Sequence, residues 1–374
     1  MKKFIKIPII LLLIILVTLT CIFYKNIRIK RYTKENNSFD LIDVNNYDVF
    51  LSGETHTLEK SRKFEQDIFT YLNKKAGVNN IIEETGFCSA LLLNEYIETG
   101  NKTYLRIYMD QLKGTMAYTR GTYEFYKWLY KYNLELDKNS KIKIYGMDIE
   151  QDSLTAIKGI KTLIDKNKSV PKSLEKAMDL IEEDNIKAIK YLKLAYDEYK
   201  EECKEYFGDE FIYFENGIKN LYPDESGSDM RDKIMMNNFK FVYSLNKGEK
   251  FFGQFGSEHI YQDHMNSDFV SEEEVRFGTL LNSNTSPVKN KVYSLLCVYE
   301  NKEGNSPSSN SFDYSLIKNI KVDTFIELTQ ENSPFYDKEY LFKGSKENTV
   351  TCDYIQGLMI LKDSKQTQPY YEDN

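Results

Sequence analysis

The sequence predicts an α/β protein, a mostly parallel sheet with crossover helices on both faces and a helical cap insertion. Three observations predict it. Short apolar runs, rich in β-branched and aromatic residues, recur along the chain and are continuous rather than alternating, as in strands covered on both faces. Helical patterns separate the early runs, the strand–helix–strand order of parallel crossovers. Over about 150–222 the alternation stops, and a long Lys-, Glu- and Tyr-rich helical stretch intervenes.

The first segment stands apart. Residues 7–24 are uncharged and mostly apolar, about 27 Å long as a helix, close to the hydrocarbon thickness of a bilayer. Lys2, Lys3 and Lys6 precede the run; Lys25, Arg28, Lys30, Arg31 and Lys34 follow it. A cleaved signal peptide is the competing reading, yet "TLTCIFYKN" offers no small-x-small cleavage site. Thr20 before Cys21 also suits a lipoprotein signal poorly. An uncleaved single-pass anchor is therefore expected over 1–34, with the body extracytoplasmic, although positive charge on both flanks blunts the positive-inside rule.

After the polar connector "RYTKENNSF", strands are expected at 47–52 ("YDVFLS"), 79–84 ("NNIIEE"), 141–148 ("KIKIYGMD"), 250–256 ("KFFGQFG"), 291–299 ("KVYSLLCVY"), 323–328 ("DTFIEL") and 353–362 ("DYIQGLMILK"). The stretches "LEKSRKFEQDIFTYLNKKAG" and "TRGTYEFYKWLYKYN" read as helices between them. Pro171 and Ser173 open a further helix, whose Leu174, Ala177, Met178 and Ile181 make an apolar stripe. It belongs either to a cap on the sheet or to a solvated helical hairpin. "RDKIMMNNFKFVYSL" reads as a helix entering the fourth strand, and "ENKEGNSPSSNSFD" as a loop of disordered type. The expected organisation is an anchor and basic collar (1–34), a first α/β part (35–149), the insertion (150–229) and a second α/β part (230–374).

Charge narrows the partners. Residues 1–34 hold eight Lys or Arg and no acids, so a chain of net −7 has a body of −15. An acidic body disfavours nucleic acid, while the collar suits anionic headgroups. Cys88, Cys203, Cys297 and Cys352 are scattered without CxxC pairs, so no zinc motif is visible and buried free thiols are expected.

In an open parallel sheet, ligands bind beyond the carboxyl ends of the strands. Glu54 and His56 follow the first strand, Glu83 and Glu84 end the second, Asp148 ends the third, and Glu258 and His259 follow the fourth. Two of only three histidines take part; His264, in a polar run, is the weaker candidate and is expected to be exposed. Arg231, Met235 and Asn238, at i, i+4 and i+7, share one helix face. Arg231 either serves an acidic pocket or substrate oxyanion, or pairs with Asp148 for stability. Gly53 is expected to turn the backbone sharply before Glu54 and His56.

These segments resemble the erythromycin esterase family. "GETH" after the first strand, "IIEETGF" at the second, "WLYKYN" then "IYGMD" around the third, and "RDKIMMNN" before "GSEH" follow that family's order over about 47–264, more faintly in the closing strand. The resemblance places the family's Gly-Glu-x-His on Gly53, Glu54 and His56, and its second-strand acid on Glu84, with Glu83 as the alternative. Its Trp-Leu-x-x-Tyr-Asn falls on Trp128, Leu129, Tyr132 and Asn133. Its Arg-acid-x-x-Met-x-x-Asn falls on Arg231, Asp232, Met235 and Asn238, and its late His on His259. The departures are Thr55 alone before the His, Thr57 in place of a following Gly, and a late His-Asn-x-His reduced to "GSEH". They weaken macrolides as the substrate more than they weaken hydrolysis.

The resemblance implies a hydrolase of a small-molecule or peptide substrate, cleaving an ester, lactone or amide; the membrane anchor expected from residues 1–34 is foreign to the family's cytoplasmic resistance enzymes and is a further departure. His56 would be the general base on water, with Glu54, Glu84, Arg231 and His259 catalytic and Asn133, Asp148 and Asn238 binding substrate. A second reading uses Glu54, His56, Glu84 and His259 as ligands for Mn, Fe or Zn. A third is a non-catalytic protein that binds haem, iron or another small molecule.

Overall fold

The computed structural model describes residues 6–165, 167–222, 230–265, 275–300, 312, 313, 316, 319–341 and 348–371, with the side chains of 6–10 left aside. Among the described residues eight strands form one sheet. They are β1 (Thr33–Glu35), β2 (Val49–Glu54), β3 (Asn80–Gly86), β4 (Lys143–Asp148), β5 (Phe251–Gly256), β6 (Val292–Glu300), β7 (Thr324–Glu327) and β8 (Gly357–Lys362). Their order is β1-β7-β8-β6-β2-β5-β3-β4. The six strands from β4 to β8 in that order pair in parallel. β7 is antiparallel to both β8 and β1, a reversal that continuous apolar composition does not encode.

The continuity of the apolar runs has a direct cause. Val49, Leu51, Ile82, Phe251 and Val292 face one apolar core, while Phe50, Ile81, Phe252, Tyr293 and Leu295 face the other. Helices α2 (Glu59–Ala76), α3 (Phe87–Thr99), α4 (Lys102–Gln111) and α5 (Arg120–Glu135) supply the second core. The first is covered by α6 (Ser153–Thr162), α7 (Lys172–Leu180), α8 (Asn185–Glu198), α9 (Lys200–Phe207), α10 (Phe211–Leu221), α11 (Arg231–Leu245) and α12 (Phe277–Leu281). Leu174, Ala177 and Ile181 are fully buried in that core and Met178 packs against it. The inserted helices therefore cap a sheet face and are not a solvated hairpin.

The first helix, α1 (Lys6–Arg31), contains a stretch Leu11–Arg31 long and apolar enough to cross a membrane. It runs almost directly into β1, which lies inside the polar connector. Three polar residues give no hydrophobic signal, and β7 is the strand that β1 pairs with. Most of "ENKEGNSPSSNSFD" lies outside the described residues. The five cysteines are free: Cys88, Cys203 and Cys297 are buried, Cys352 is half-buried and Cys21 exposed.

Strand β4 is one margin of the sheet, and side chains occupy its unpaired backbone groups. Asn133 accepts from Ile142 N at 2.9 Å, and Asn94 both accepts from Ile144 N at 2.8 Å and donates to Ile144 O at 2.7 Å. Asn238 donates to Met147 O at 2.9 Å. Three amides thus stand in for a neighbouring strand.

Candidate functional site

The carboxyl ends of β4, β3, β5 and β2 lie side by side, and the site is built on that edge. Glu54 closes β2 opposite Gly256, the last residue of β5. Its carboxylate pairs with His56 Nδ1 in a short contact, which orients the ring. Gly256 makes room for that ring, because a Cβ there would stand 3.3 Å from His56 Nε2. The sharp turn falls at Thr57, with φ 70, and not at Gly53, where a Cβ would press on Ile260 at 2.7 Å. Thr57 thus takes a left-handed conformation that strains a β-branched residue, at the position where the resembling family has Gly.

Helix α11 begins with Arg231 and Asp232, and its docking against β4 sends both into the edge. Arg231 Nε donates to Asp148 at 2.8 and 3.0 Å, and Nη2 donates to Glu84 Oε1 at 2.7 Å and to Asp148. Gly256 N donates to the other Glu84 oxygen at 2.7 Å. A single helical turn after β5 brings in His259. Its Nδ1 meets Asp232 Oδ1 at 2.7 Å, and its Nε2 lies 3.7 Å from Glu84 Oε1 and 3.4 Å from Arg231 Nη1. Asp232 is itself held by Phe277 N at 2.6 Å and Arg276 at 3.1 Å.

Alternating charge sets the protonation states. Coulombic attraction to Glu54 pushes the His56 imidazole up to about 9 despite partial burial, so it is a cation at neutral pH. Burial opposes the Glu84 charge, but His259, Arg231, His56 and the Gly256 amide outweigh it and hold the carboxyl down at about 2. Burial likewise opposes a charged His259, and Asp232 and Glu84 prevail, raising it above its ordinary value. Burial lifts the Asp148 carboxyl while Arg231 pulls it down. The site is open: His56 keeps 37% of its side chain exposed, His259 only 8%. Beside His56 lies a crevice of about 30 Å³ lined by Glu54, Ser61, Arg62, Thr119 and Thr122, room for about one water. Larger grooves of about 800 and 560 Å³ lie elsewhere, one beside the start of β4 and one along α11, and neither is lined by His56, Glu84 or His259.

The edge therefore brings together Glu54, His56, Glu84, Asp148, Arg231 and His259. It does not bring Asn133, which lies at the amino end of β4 with its amide bonded to Ile142 N and Ile97 O. Asn238 is buried, its amide shared among Met147 O, Asn220 and Asn216; it too secures a strand margin, and it borders the groove along α11 rather than the His56 edge. Asp148, also expected to bind substrate, is fully buried beneath Arg231. His264 is half-buried, not exposed. Asp232 and Arg276 were not among the expected site residues; Asp232 sits in the "RD" pair, whereas nothing local marks Arg276. Arg62 and Glu65, in the first two turns of α2, were also unmarked.

The ligand set Glu54, His56, Glu84 and His259 does not fit a metal ion. Arg231 stands between Glu84 and His259, supplying the positive charge a cation would bring. Among the described residues no three His, Cys, Asp or Glu side chains are arranged to hold one.

The arrangement defines an α/β protein with a His–carboxylate–Arg network at the carboxyl edge of a parallel sheet. The erythromycin esterase family model matches residues 74–211, a span that holds Glu84 and Asp148 but not His56, Arg231 or His259. Three solved structures share the fold. A Bacillus cereus protein aligns with TM-score 0.65 at 17% identity, over 92% of this chain and 98% of its own. A succinoglycan biosynthesis protein gives 0.63 at 14%, again over 92% and 98%. An open-conformation mutant of the erythromycin esterase EreC gives 0.56 at 13%, over 88% and 94%. Among curated proteins none matches. Over residues 74–211 the chain is similar to the erythromycin esterase family, and its fold is shared with these three structures.

Proposed function

We propose that the protein is a hydrolase of an ester, lactone or amide, using water activated at His56. The observation that carries the reading is the Glu54–His56 pair beside the Glu84–Arg231–His259–Asp232 network. In its neutral form His56 Nε2 takes a proton from water as the oxygen attacks the substrate carbonyl carbon. Nδ1–H stays on Glu54, which stabilises the imidazolium that forms. Arg231 Nη1, which has no carboxylate partner among the described residues, suits the developing oxyanion. His56 then returns its proton to the leaving oxygen or nitrogen as the carbonyl bond to it breaks. Asp232 positions His259, and His259 with Arg231 keeps Glu84 ionised against the His56 ring. Helix α1 is proposed as a single-pass anchor, with the body extracytoplasmic.

The test is a panel of esters, lactones and peptides with a pH–rate profile. A general base held at about 9 requires kcat/KM to rise with pH and level off near 9. His56→Gln should then lower it by about 10²–10⁴-fold without unfolding the protein. A rate that falls as pH passes 9 would instead make His56 an acid. Turnover by His56→Gln at the parental rate would remove it from the chemistry.

A further inference from the structure

The groove of about 560 Å³ along α11 has the size of a ligand pocket. Met230, Lys233, Ile234, Asn237 and Lys240 recur at helical spacing and share one face of α11. Met235, Phe239 and Val242, on the other side of the helix, are buried. The floor is apolar: Ile218 of α10 and Met236 are only 2% and 4% exposed, with Ile234 and Leu280 half-buried beside them. Asn216, Asn220 and Asn238 bond to one another, so their amides are spent within the wall.

Charge on this groove has one sign. The four charged side chains that line it among the described residues are Lys193, Lys219, Lys233 and Lys240, in a body of −15. Lys193 pairs with Asp197 at 3.1 Å and lies over the Tyr222 ring at 5.6 Å. Lys219, Lys233 and Lys240 are exposed, and none pairs with a carboxylate among the described residues. Lys233 meets only a sulfur, Met230 Sδ at 3.6 Å. Two neighbouring acids are already engaged: Glu215 accepts from Tyr196 at 2.6 Å and Lys200 at 2.7 Å, and Asp232 is held by His259 and Phe277 N.

Spacing selects the kind of anion. Lys233 and Lys240, seven residues apart, stand about 10 Å apart along α11, and Lys219 comes from α10. One compact acid group reaches only one of these ammonium groups at hydrogen-bond distance. A chain carrying acids at intervals reaches all of them. The apolar floor asks for apolar side chains between those acids, and the unbranched Met230 and Met236 adapt to varied shapes.

We propose that this groove docks an acidic peptide segment of a partner protein. Its apolar side chains lie on Ile218, Ile234 and Met236, and its carboxylates meet Lys219, Lys233 and Lys240. The inference stands apart from the hydrolase reading, because neither His56 nor Arg231 lines the groove.

Full-length protein in phosphatidylcholine nanodiscs is titrated against a fluorophore-labelled eight-residue peptide of alternating glutamate and leucine, read by anisotropy. Saturable binding is expected, and lysine in place of the glutamates is expected to abolish it. Lys219→Gln, Lys233→Gln and Lys240→Gln together should weaken it at least tenfold with the thermal melt unchanged, since all three side chains are exposed. Lys74→Gln, Lys75→Gln and Lys131→Gln, on α2 and α5 across the sheet, remove the same charge and should change it less than twofold. Equal loss in the two triple variants reduces the attraction to net charge and overturns the site. Asp224, Glu225 and Asp229, between Tyr222 and Met230 in the sequence, lie outside the described residues. Binding that appears only after Asp224→Asn, Glu225→Gln and Asp229→Asn also overturns it, because the lysines are then neutralised within the chain. An oligogalacturonate that binds more tightly than the peptide overturns the peptide class, and no saturable binding overturns the proposal outright.

Discussion

Glu83 and Glu84 are consecutive on β3, both shielded, and their environments are opposite. Glu84 is surrounded by Arg231, His259, His56 and the Gly256 amide and is held at about 2. Glu83 points to the other face, where burial, with the Glu65 carboxylate beside it, pushes it up to about 8 although Arg62 and the Tyr126 hydroxyl pull the other way. Glu65 takes Arg62 at 2.6 Å and Gln254 at 3.2 Å, and one oxygen of each carboxyl has no hydrogen-bond partner. Two acids share one guanidinium on that face; on the other, several cations converge on one acid. Burial alone fixes neither state. The count of opposing charges within reach decides it.

The largest expected effect tests that contrast directly. Glu84→Gln should cost about 3 kcal/mol at pH 6, from a shift of 4.5 to about 2 at 1.36 kcal/mol per unit, read by urea unfolding. Glu83→Gln should cost less than about 0.5 kcal/mol at that pH, since an amide replaces a protonated acid. Equal losses would break the comparison.

The pH dependence sharpens it. Glu84 has a depressed folded pKa, so its contribution is present above about 4.5 and is lost as pH falls toward 2. Glu83 has a raised one, so the folded state binds the extra proton and stability falls as pH rises from 4.5 to about 8. His56, also raised, adds stability below 6.5 that is lost as pH climbs through about 9. Denaturation midpoints across pH 2–9 should show the first slope vanish in Glu84→Gln, and the slope between 5 and 8 shrink in Glu83→Gln.

Uncharged contacts give smaller effects. Asn133→Ala should cost about 1–3 kcal/mol by stranding Ile142 N at the margin of β4, with no change in KM for any substrate turned over. A KM effect would return Asn133 to the site. Smallest, and of opposite sign, Thr57→Gly should gain about 1 kcal/mol in unfolding free energy by relieving φ 70.

Much of this was legible in the sequence, for identifiable reasons. Strands buried on both faces are long apolar runs, so seven of them could be placed, and acids following such runs converge wherever the strands are parallel. β1 was invisible because backbone pairing holds "TKE" without a hydrophobic residue. The reversal of β7 was invisible because TFIE reads alike in either direction. Asn133 and Asn238 misled because an amide that seals a strand margin and one that grips a ligand are the same residue type. Arg62 and Glu65 escaped notice because their meaning lies in Glu83, which is adjacent only in three dimensions.

The amides along β4 also determine how copies of this protein can meet. A sheet grows by recruiting a new strand onto open N–H and C=O groups. At one flank Asn94, Asn133 and Asn238 already occupy such groups; at the other, β1 is three residues long and Asn36 and Asn37, with φ 59 and 57, turn the chain away. Neither flank therefore offers a long open template for a further strand.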